Sequence, residues 1–161
     1  MIRKAEMSDV PAICKIYNYY VLGSTFTFEE EAISVEGMME RLNKVFSSDL
    51  PWYVYEENGK VIGYAYGTRW KERSAYRFSI ETSVYIDRNS AGKGIGSQLY
   101  EVLINQLKEG GYHSIITGVS QPNENSRKLH EKFGFKKVAE FKEAGFKFNQ
   151  WIDVTNWQLM L

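Results

Sequence analysis

The sequence has a single cysteine among its 161 residues. No disulfide can form within the chain, and the composition suits a reducing cytoplasm. No run of about 18 apolar residues is present, so nothing in the sequence is expected to span a membrane. The first residues, Met1-Ile2-Arg3-Lys4-Ala5-Glu6, lack the apolar core of a secretory leader. Excess charge of one sign is also missing, because twenty Lys and Arg stand against twenty Asp and Glu. Without a global positive field, the chain is not a dedicated binder of nucleic acid. His113 and His130 are the only histidines. With no HExxH pattern and no cysteine pair beside them, no metal is expected. Three prolines and thirteen glycines are too few for a disordered or collagen-like chain. Aromatics are plentiful instead: eleven tyrosines, nine phenylalanines and four tryptophans. They promise a packed core together with a pocket or a partner face.

Strand-like and helix-like segments alternate along the chain without a linker or a repeat. This reads as one α/β (α+β) domain over residues 1–161. A short strand is expected at Ile2 to Ala5. A helix follows, with Ser8 as N-cap and Val10, Ile13, Cys14, Tyr17 and Val21 on one face, ending at Gly23. On that face Cys14 reads as core. A second helix covers Val35 to Phe46. Trp52 to Glu56 and Val61 to Thr68 read as strands joined by a turn at Glu57-Asn58-Gly59-Lys60. In the strand Arg77 to Asp87, Phe78, Ile80, Thr82, Val84 and Ile86 alternate with Ser79, Glu81, Ser83 and Tyr85. After it come a glycine turn, a strong amphipathic helix ending at Gly110-Gly111, and a strand from Ser114 to Val119. A short helix from Asn125 to Phe133 and two strands, about Lys136 to Glu143 and Gln150 to Leu161, complete the chain.

The glycine turn, Ala91-Gly92-Lys93-Gly94-Ile95-Gly96, joins a strand to a helix. Glycine lets the backbone adopt positive φ and approach a ligand closely. The free N–H groups at the helix start then face an anion, with Lys93 and Arg88 adding positive charge. A phosphate or pyrophosphate site is one reading, and a tight turn without a ligand is the other. The spacing is neither the dinucleotide fingerprint nor a P-loop.

The order of parts resembles the acetyl-CoA-binding core of the GNAT N-acetyltransferases. It comprises a strand, Arg88-Asn89-Ser90-Ala91-Gly92-Lys93-Gly94-Ile95-Gly96, an amphipathic helix, a strand, then Asn123-Glu124-Asn125-Ser126 and Leu129-His130-Glu131-Lys132-Phe133-Gly134-Phe135. Trp70-Lys71-Glu72-Arg73-Ser74-Ala75-Tyr76, Glu81, His130, Gly145-Phe146-Lys147 and Trp151-Ile152-Asp153 make it similar to the phosphinothricin N-acetyltransferase subfamily.

That resemblance implies a mixed, bent sheet of about six to seven strands flanked by helices. It implies acetyl-CoA as cosubstrate and a small-molecule amine as acceptor: phosphinothricin, methionine sulfoximine or methionine sulfone. A homodimer is expected. The resemblance puts Val84, Tyr85 and Ile86 along the pantetheine arm, Gly92, Lys93, Gly94, Ile95, Gly96 and Ser97 around the pyrophosphate, and Asn123 near the thioester. Ala91 departs from the family, which usually has Arg or Gln there. Glu81 is implied as the base, and His130, a histidine in the subfamily where many GNAT enzymes carry a tyrosine facing the sulfur, could protonate the leaving thiolate or relay a proton. A solvated strand glutamate and a packing histidine are the plainer readings of these two. Lys71 and Arg73 are candidate clamps for the acceptor carboxylate, or simply a surface basic group with Arg77. Phe28 is implied to close over the acceptor, although Phe26 and Phe28 could equally pack on the core. Trp151 and Trp157 could be core, pocket or dimer face. A different acceptor, such as a protein N-terminus or a polyamine, and a non-catalytic acyl-CoA-binding module are the rival functions.

Overall fold

The computed structural model describes residues 1–161 as seven strands and four α-helices. The strands are β1 (Ile2–Lys4), β2 (Trp52–Glu57), β3 (Lys60–Arg69), β4 (Ser79–Ile86), β5 (Ser114–Ser120), β6 (Lys136–Lys147) and β7 (Gln150–Met160). The helices are α1 (Val10–Gly23), α2 (Val35–Ser47), α3 (Ile95–Glu109) and α4 (Glu124–Lys132). They build one mixed sheet in the order β1-β2-β3-β4-β5-β7-β6, in which β4 and β5 are the parallel pair.

Local chemistry explains the joints. Asn58 and Gly59 take φ of 51° and 73°, the two left-handed positions that a tight β2–β3 hairpin needs. Helix α1 is not capped by Ser8. That residue sits in a 3₁₀ turn, Met7–Asp9; Asp9 is the N-cap of α1 without a side-chain cap bond, and its carboxylate accepts from the Glu6 N–H at the head of that turn at 2.8 Å. Asp9 is buried and also takes two 2.8 Å bonds from Arg3 on β1, which ties the first strand to the first helix. Ile16 joins the expected apolar face of α1 as a buried residue.

The alternation in β4 places its two sets of side chains on opposite faces. Tyr85 meets Tyr17 of α1 edge-on at 5.3 Å, whereas Thr82 meets Tyr100 of α3 at 2.6 Å. Helices α1 and α2 therefore cover one face, and α3 and α4 cover the other. The strand expected to end at Glu143 runs on to Lys147 through a bulge between Phe141 and Gly145, where Glu143 has φ 52° and its N–H donates to Asp153 at 2.8 Å. Four steps along β6 oppose two along β7 there, and the two extra residues interrupt the regular pairing of the longer strand. No helix is long and apolar enough to cross a membrane.

Candidate acetyl-transfer site

Strands β4 and β5 pair only at Ser79–Ser114 and Ile80–Ile115 and then part. Thr117 Oγ1 donates to Thr82 O at 3.1 Å just beyond the last pair and marks the vertex. Past it, the backbone groups of β4 that face β5 have no ladder partner. Buried backbone N–H and C=O groups require partners. A cavity of about 460 Å³ opens in this gap. Ser83, Val84, Tyr85 and Ile86 line one side, and Thr117 to Ser120 line the other. The Ser120 hydroxyl lies in this wall, buried and without a partner. The site thus offers an open strand edge and an unused hydroxyl to an elongated, amide-bearing ligand.

The glycine turn closes one end of the cavity. Gly92 and Gly94 have φ of 81° and 77°, and a Cβ built on either would meet nothing within 4 Å. The dihedral angle, not crowding, demands glycine there, and the space in front stays open. Gly94 caps α3 without any side-chain hydrogen bond, so the first N–H groups of the helix are left for an anion. Gly92, Gly94, Gly96 and Ser97 all line the cavity. Two of the expected pyrophosphate residues contribute differently. The Ile95 side chain is buried in the core, so only its backbone is available, and Lys93 is exposed and outside the cavity lining. Asn123 lines the cavity while its side chain caps α4, accepting from the Ser126 N–H at 3.1 Å.

Glu81 shares a face of β4 with Ser83 and Tyr85, and its carboxylate makes no hydrogen bond. Water reaches its side chain, yet the protein wall around it removes part of its solvation and pushes the carboxyl above the usual glutamate range. No cation opposes that shift.

His130 is 3 % exposed, and both its ring nitrogens are engaged. Nδ1 lies 2.6 Å from Ser126 O, an atom that can only accept, so Nδ1 carries the proton. Nε2 must then accept, and the Tyr100 hydroxyl at 3.1 Å donates to it. Tyr100 Oη in turn accepts from Thr82 Oγ1 at 2.6 Å. Burial lowers the His130 pKa and keeps the ring neutral, and burial likewise raises that of Tyr100. His130 lines the cavity together with Tyr100 and Thr82, and in this arrangement both its ring nitrogens are paired. It anchors a chain that runs through Tyr100 to the strand lining the cavity. The sequence offered no signal for Tyr100 or Thr82, whose polar atoms matter only once α3 and α4 pack on β4.

The remaining candidates separate. Phe26 lines the cavity beside Tyr20, whereas Phe28 lies over Gly145 and outside the cavity wall. Lys71 and Arg73 lie in the β3–β4 connection, both exposed and away from the cavity lining. Lys71 Nζ sits 4.8 Å over the Trp70 ring, and the Arg73 guanidinium makes no ion pair. Glu29 pairs with Arg41 instead of being free in solvent. Trp157 is core, with Nε1 donating to Thr155 Oγ1 at 3.0 Å, and Trp151 is 65 % exposed on the β6–β7 hairpin. Cys14 is buried, as its helix face required, and His113 is exposed.

Residues 2–156 match the acetyltransferase (GNAT) domain family. A phosphinothricin N-acetyltransferase from Alcaligenes faecalis is 40% identical over 153 residues, covering 94% of this chain and 78% of the relative. The L-methionine sulfoximine/L-methionine sulfone acetyltransferase of Salmonella typhimurium is 33% identical over 160 residues, covering 99% of this chain and 94% of the relative. Among solved structures, an acetyltransferase from Salmonella typhimurium with its cofactor acetyl-CoA superposes with a TM-score of 0.98 at 33% identity, over 100% of this chain and 93% of that one.

Proposed function

The chain belongs to the GNAT acetyltransferase family, and from that premise we propose that it transfers the acetyl group of acetyl-CoA to the α-amine of a small amino-acid-like acceptor. Acceptors of the phosphinothricin, methionine sulfoximine or methionine sulfone type fit the relatives' activities. The observation that carries the reading is the parting of β4 from β5 beside a glycine turn with two left-handed residues and an uncapped helix start. A strand edge to pair with pantetheine and a cradle for pyrophosphate stand at the two ends of one cavity.

In this scheme the acceptor ammonium loses its proton to Glu81, directly or through one water. The neutral nitrogen attacks the thioester carbon, a backbone N–H of Val84 or Tyr85 meets the oxygen that gathers charge, and the carbon–sulfur bond breaks. The nitrogen, cationic after the attack, gives its second proton to water as the amide forms, and the departing thiolate takes a proton from solvent. His130 holds Tyr100 and, through it, Thr82 of the strand that carries these groups. Arg73, with its unpaired guanidinium, is assigned to the acceptor carboxylate, assisted by Lys71. Phe28 acts on the acceptor side through its seat on Gly145. The second copy of the expected homodimer is assigned to the exposed Phe146–Trp151 pair, whose rings lie 4.8 Å apart on the edge hairpin.

The test is a thiol-release assay with acetyl-CoA and a panel of amino-acid analogues, polyamines and peptide N-termini. Turnover confined to small α-amino acids supports the reading. Turnover of peptides alone would move the function to a protein acceptor, and acetyl-CoA binding without turnover would make the chain a binding module.

A further inference from the structure

The connection between α1 and α2, residues 24–34, is held in two different ways. Its second half is tied locally. Asn18 Nδ2 donates to Ile33 O at 2.9 Å, the Ile33 N–H returns to Asn18 Oδ1 at 2.9 Å, and Arg41 pairs with Glu29. Its first half is tied from the far edge of the sheet. Lys147, the last residue of β6, is only 1 % exposed, and its Nζ donates to Val21 O at 2.7 Å and to Thr27 O at 2.9 Å. Val21 O lies in the last turn of α1, among the carbonyls that lack an intrahelical donor and at the negative end of the helix dipole. Thr27 O belongs to the connection itself.

No carboxylate pairs with this ammonium. Burying a cation is costly unless its hydrogen bonds are made, and an apolar side chain of similar length would fill the same space without that cost. Lysine adds two directed bonds that bridge 126 and 120 positions of chain. The segment they fix is part of the site wall. Thr27 Oγ1 bonds Tyr17 Oη at 2.8 Å, Tyr17 packs edge-on against Tyr85, and both Tyr85 and Phe26 line the cavity. Two residues before Lys147, Gly145 leaves room for the Phe28 ring, whose nearest atom lies 2.4 Å from where a Cβ would stand. The end of β6 thus supplies both a polar clip and a flat seat for residues 26–28.

We propose that Lys147 is a positioning residue for acceptor binding, whose ammonium clamps residues 26–28 to β6 so that Phe28 keeps its seat on Gly145 at the acceptor side. The inference rests on the acetyl-transfer reading above, and the experiment separates the two. Lys147→Met and Lys147→Gln are compared with wild type for acceptor KM, acetyl-CoA affinity by calorimetry, and backbone hydrogen exchange. The acceptor is whichever amine the wild type turns over best. The Met variant should raise acceptor KM about ten-fold, with Gln in between and acetyl-CoA affinity nearly unchanged. Amides of residues 24–29 should exchange faster, while those of α2 stay as they were. Unchanged acceptor KM overturns the proposal. So does a parallel loss of acceptor and acetyl-CoA affinity. If neither variant folds, Lys147 is a general stabiliser and the proposal is equally wrong. If the wild type acetylates no amine, the acetyl-transfer reading fails, and unaltered exchange at residues 24–29 would then show that the clamp fails as well.

Discussion

Tyr100→Phe removes one oxygen atom from the centre of the buried chain. The ring is fully buried and stacks on Phe135 at 5.8 Å, so phenylalanine keeps the packing and loses only the hydroxyl. Two hydrogen bonds disappear, to Thr82 Oγ1 at 2.6 Å and to His130 Nε2 at 3.1 Å. Both former partners stay buried, at 3 % exposure each, at the wall of the cavity. Orphaning a buried polar group costs ~1–3 kcal/mol, so the variant should lose about 2–4 kcal/mol of unfolding free energy. His130→Phe should lose a similar amount, because it strands the Tyr100 hydroxyl and removes the Nδ1–H bond to the Ser126 carbonyl. The double variant should lose less than the sum, since each single change already breaks the shared bond. A coupling of ~1–2 kcal/mol is expected for residues in one network. Urea melts of the four proteins measure this directly. If Tyr100→Phe costs under about 0.5 kcal/mol, or the two changes simply add, the chain is not a mechanical unit and the proton placement on His130 is wrong. Catalysis gives an independent check. A histidine acting as an acid would lose kcat in its own variant only, whereas an anchoring histidine should depress kcat to a similar degree in both single variants.

Three further outcomes follow from the same geometry. Gly94→Val forces a β-branched residue to φ 77° and sets a side chain in the open cradle; it should raise the acetyl-CoA KM at least ~10-fold, with ~1–2 kcal/mol lost from stability, and unchanged cofactor affinity in a folded variant would refute the cradle. Gly145→Ala places a Cβ 2.4 Å from the Phe28 ring, so Phe28 must move; acceptor KM should rise more than acetyl-CoA KM, and equal changes would detach Phe28 from the acceptor side. His130 has its folded pKa lowered by burial, so the stability it contributes is complete above its unfolded pKa near ~6.5 and is lost as pH falls toward and through the folded value; melts from pH 7 to 5 should show a smaller acid loss in His130→Phe than in wild type.

The readability of this molecule from sequence depended on how local each feature is. The helix faces, the Asn58-Gly59 hairpin and the alternation of β4 are local patterns, and all three are found where the residues put them. The glycine turn was legible because φ near 80° is a one-residue property. Three features were not, for identifiable reasons. Ser8 looks like a helix cap, but the chain enters α1 through the 3₁₀ turn Met7–Asp9, so Asp9 takes the N-cap place while Arg3 and the Glu6 N–H hold its carboxylate. The bulge at residues 141–145 hides the second half of β6, since two extra residues there break the run of paired positions. The Thr82–Tyr100–His130 chain joins three elements, and its direction is set by the Ser126 carbonyl, which no side-chain pattern reports. Lys147 belongs to the same group: in sequence it lies between two expected strands, in Gly145-Phe146-Lys147, and only the fold shows it burying its charge.

The proton path gives the sharpest remaining prediction. A free α-ammonium titrates near ~8, so at neutral pH most of the acceptor is protonated and cannot attack. An ordinary glutamate, with a pKa of ~4.3, is a poor base for it. Glu81 departs from that value in the useful direction. It has no cation beside it and no hydrogen-bond donor to stabilise its charge, so partial desolvation alone acts, and it raises the pKa. The base is active only when ionised. In wild type, kcat should therefore fall as pH drops through the folded pKa of Glu81, and that acid limb should lie above the ordinary glutamate range. Glu81→Gln keeps the shape of the side chain and removes the base. It should cut kcat by ~10²–10⁴ and leave acetyl-CoA affinity nearly unchanged, because Glu81 lies outside the cavity lining. The variant should also lose the carboxylate limb and retain only the rise that tracks the acceptor amine. Changing the acceptor for one of lower amine pKa separates the two limbs: the amine limb moves with the acceptor and the carboxylate limb does not. Near wild-type kcat in Glu81→Gln, with the acid limb still in place, would mean that the proton leaves by another route. His130 could not supply it, because its Nε2 already accepts from Tyr100 and its Nδ1 proton is committed to Ser126. Water in the cleft would then be the base, and the solvent isotope effect on kcat should persist unaltered in the variant.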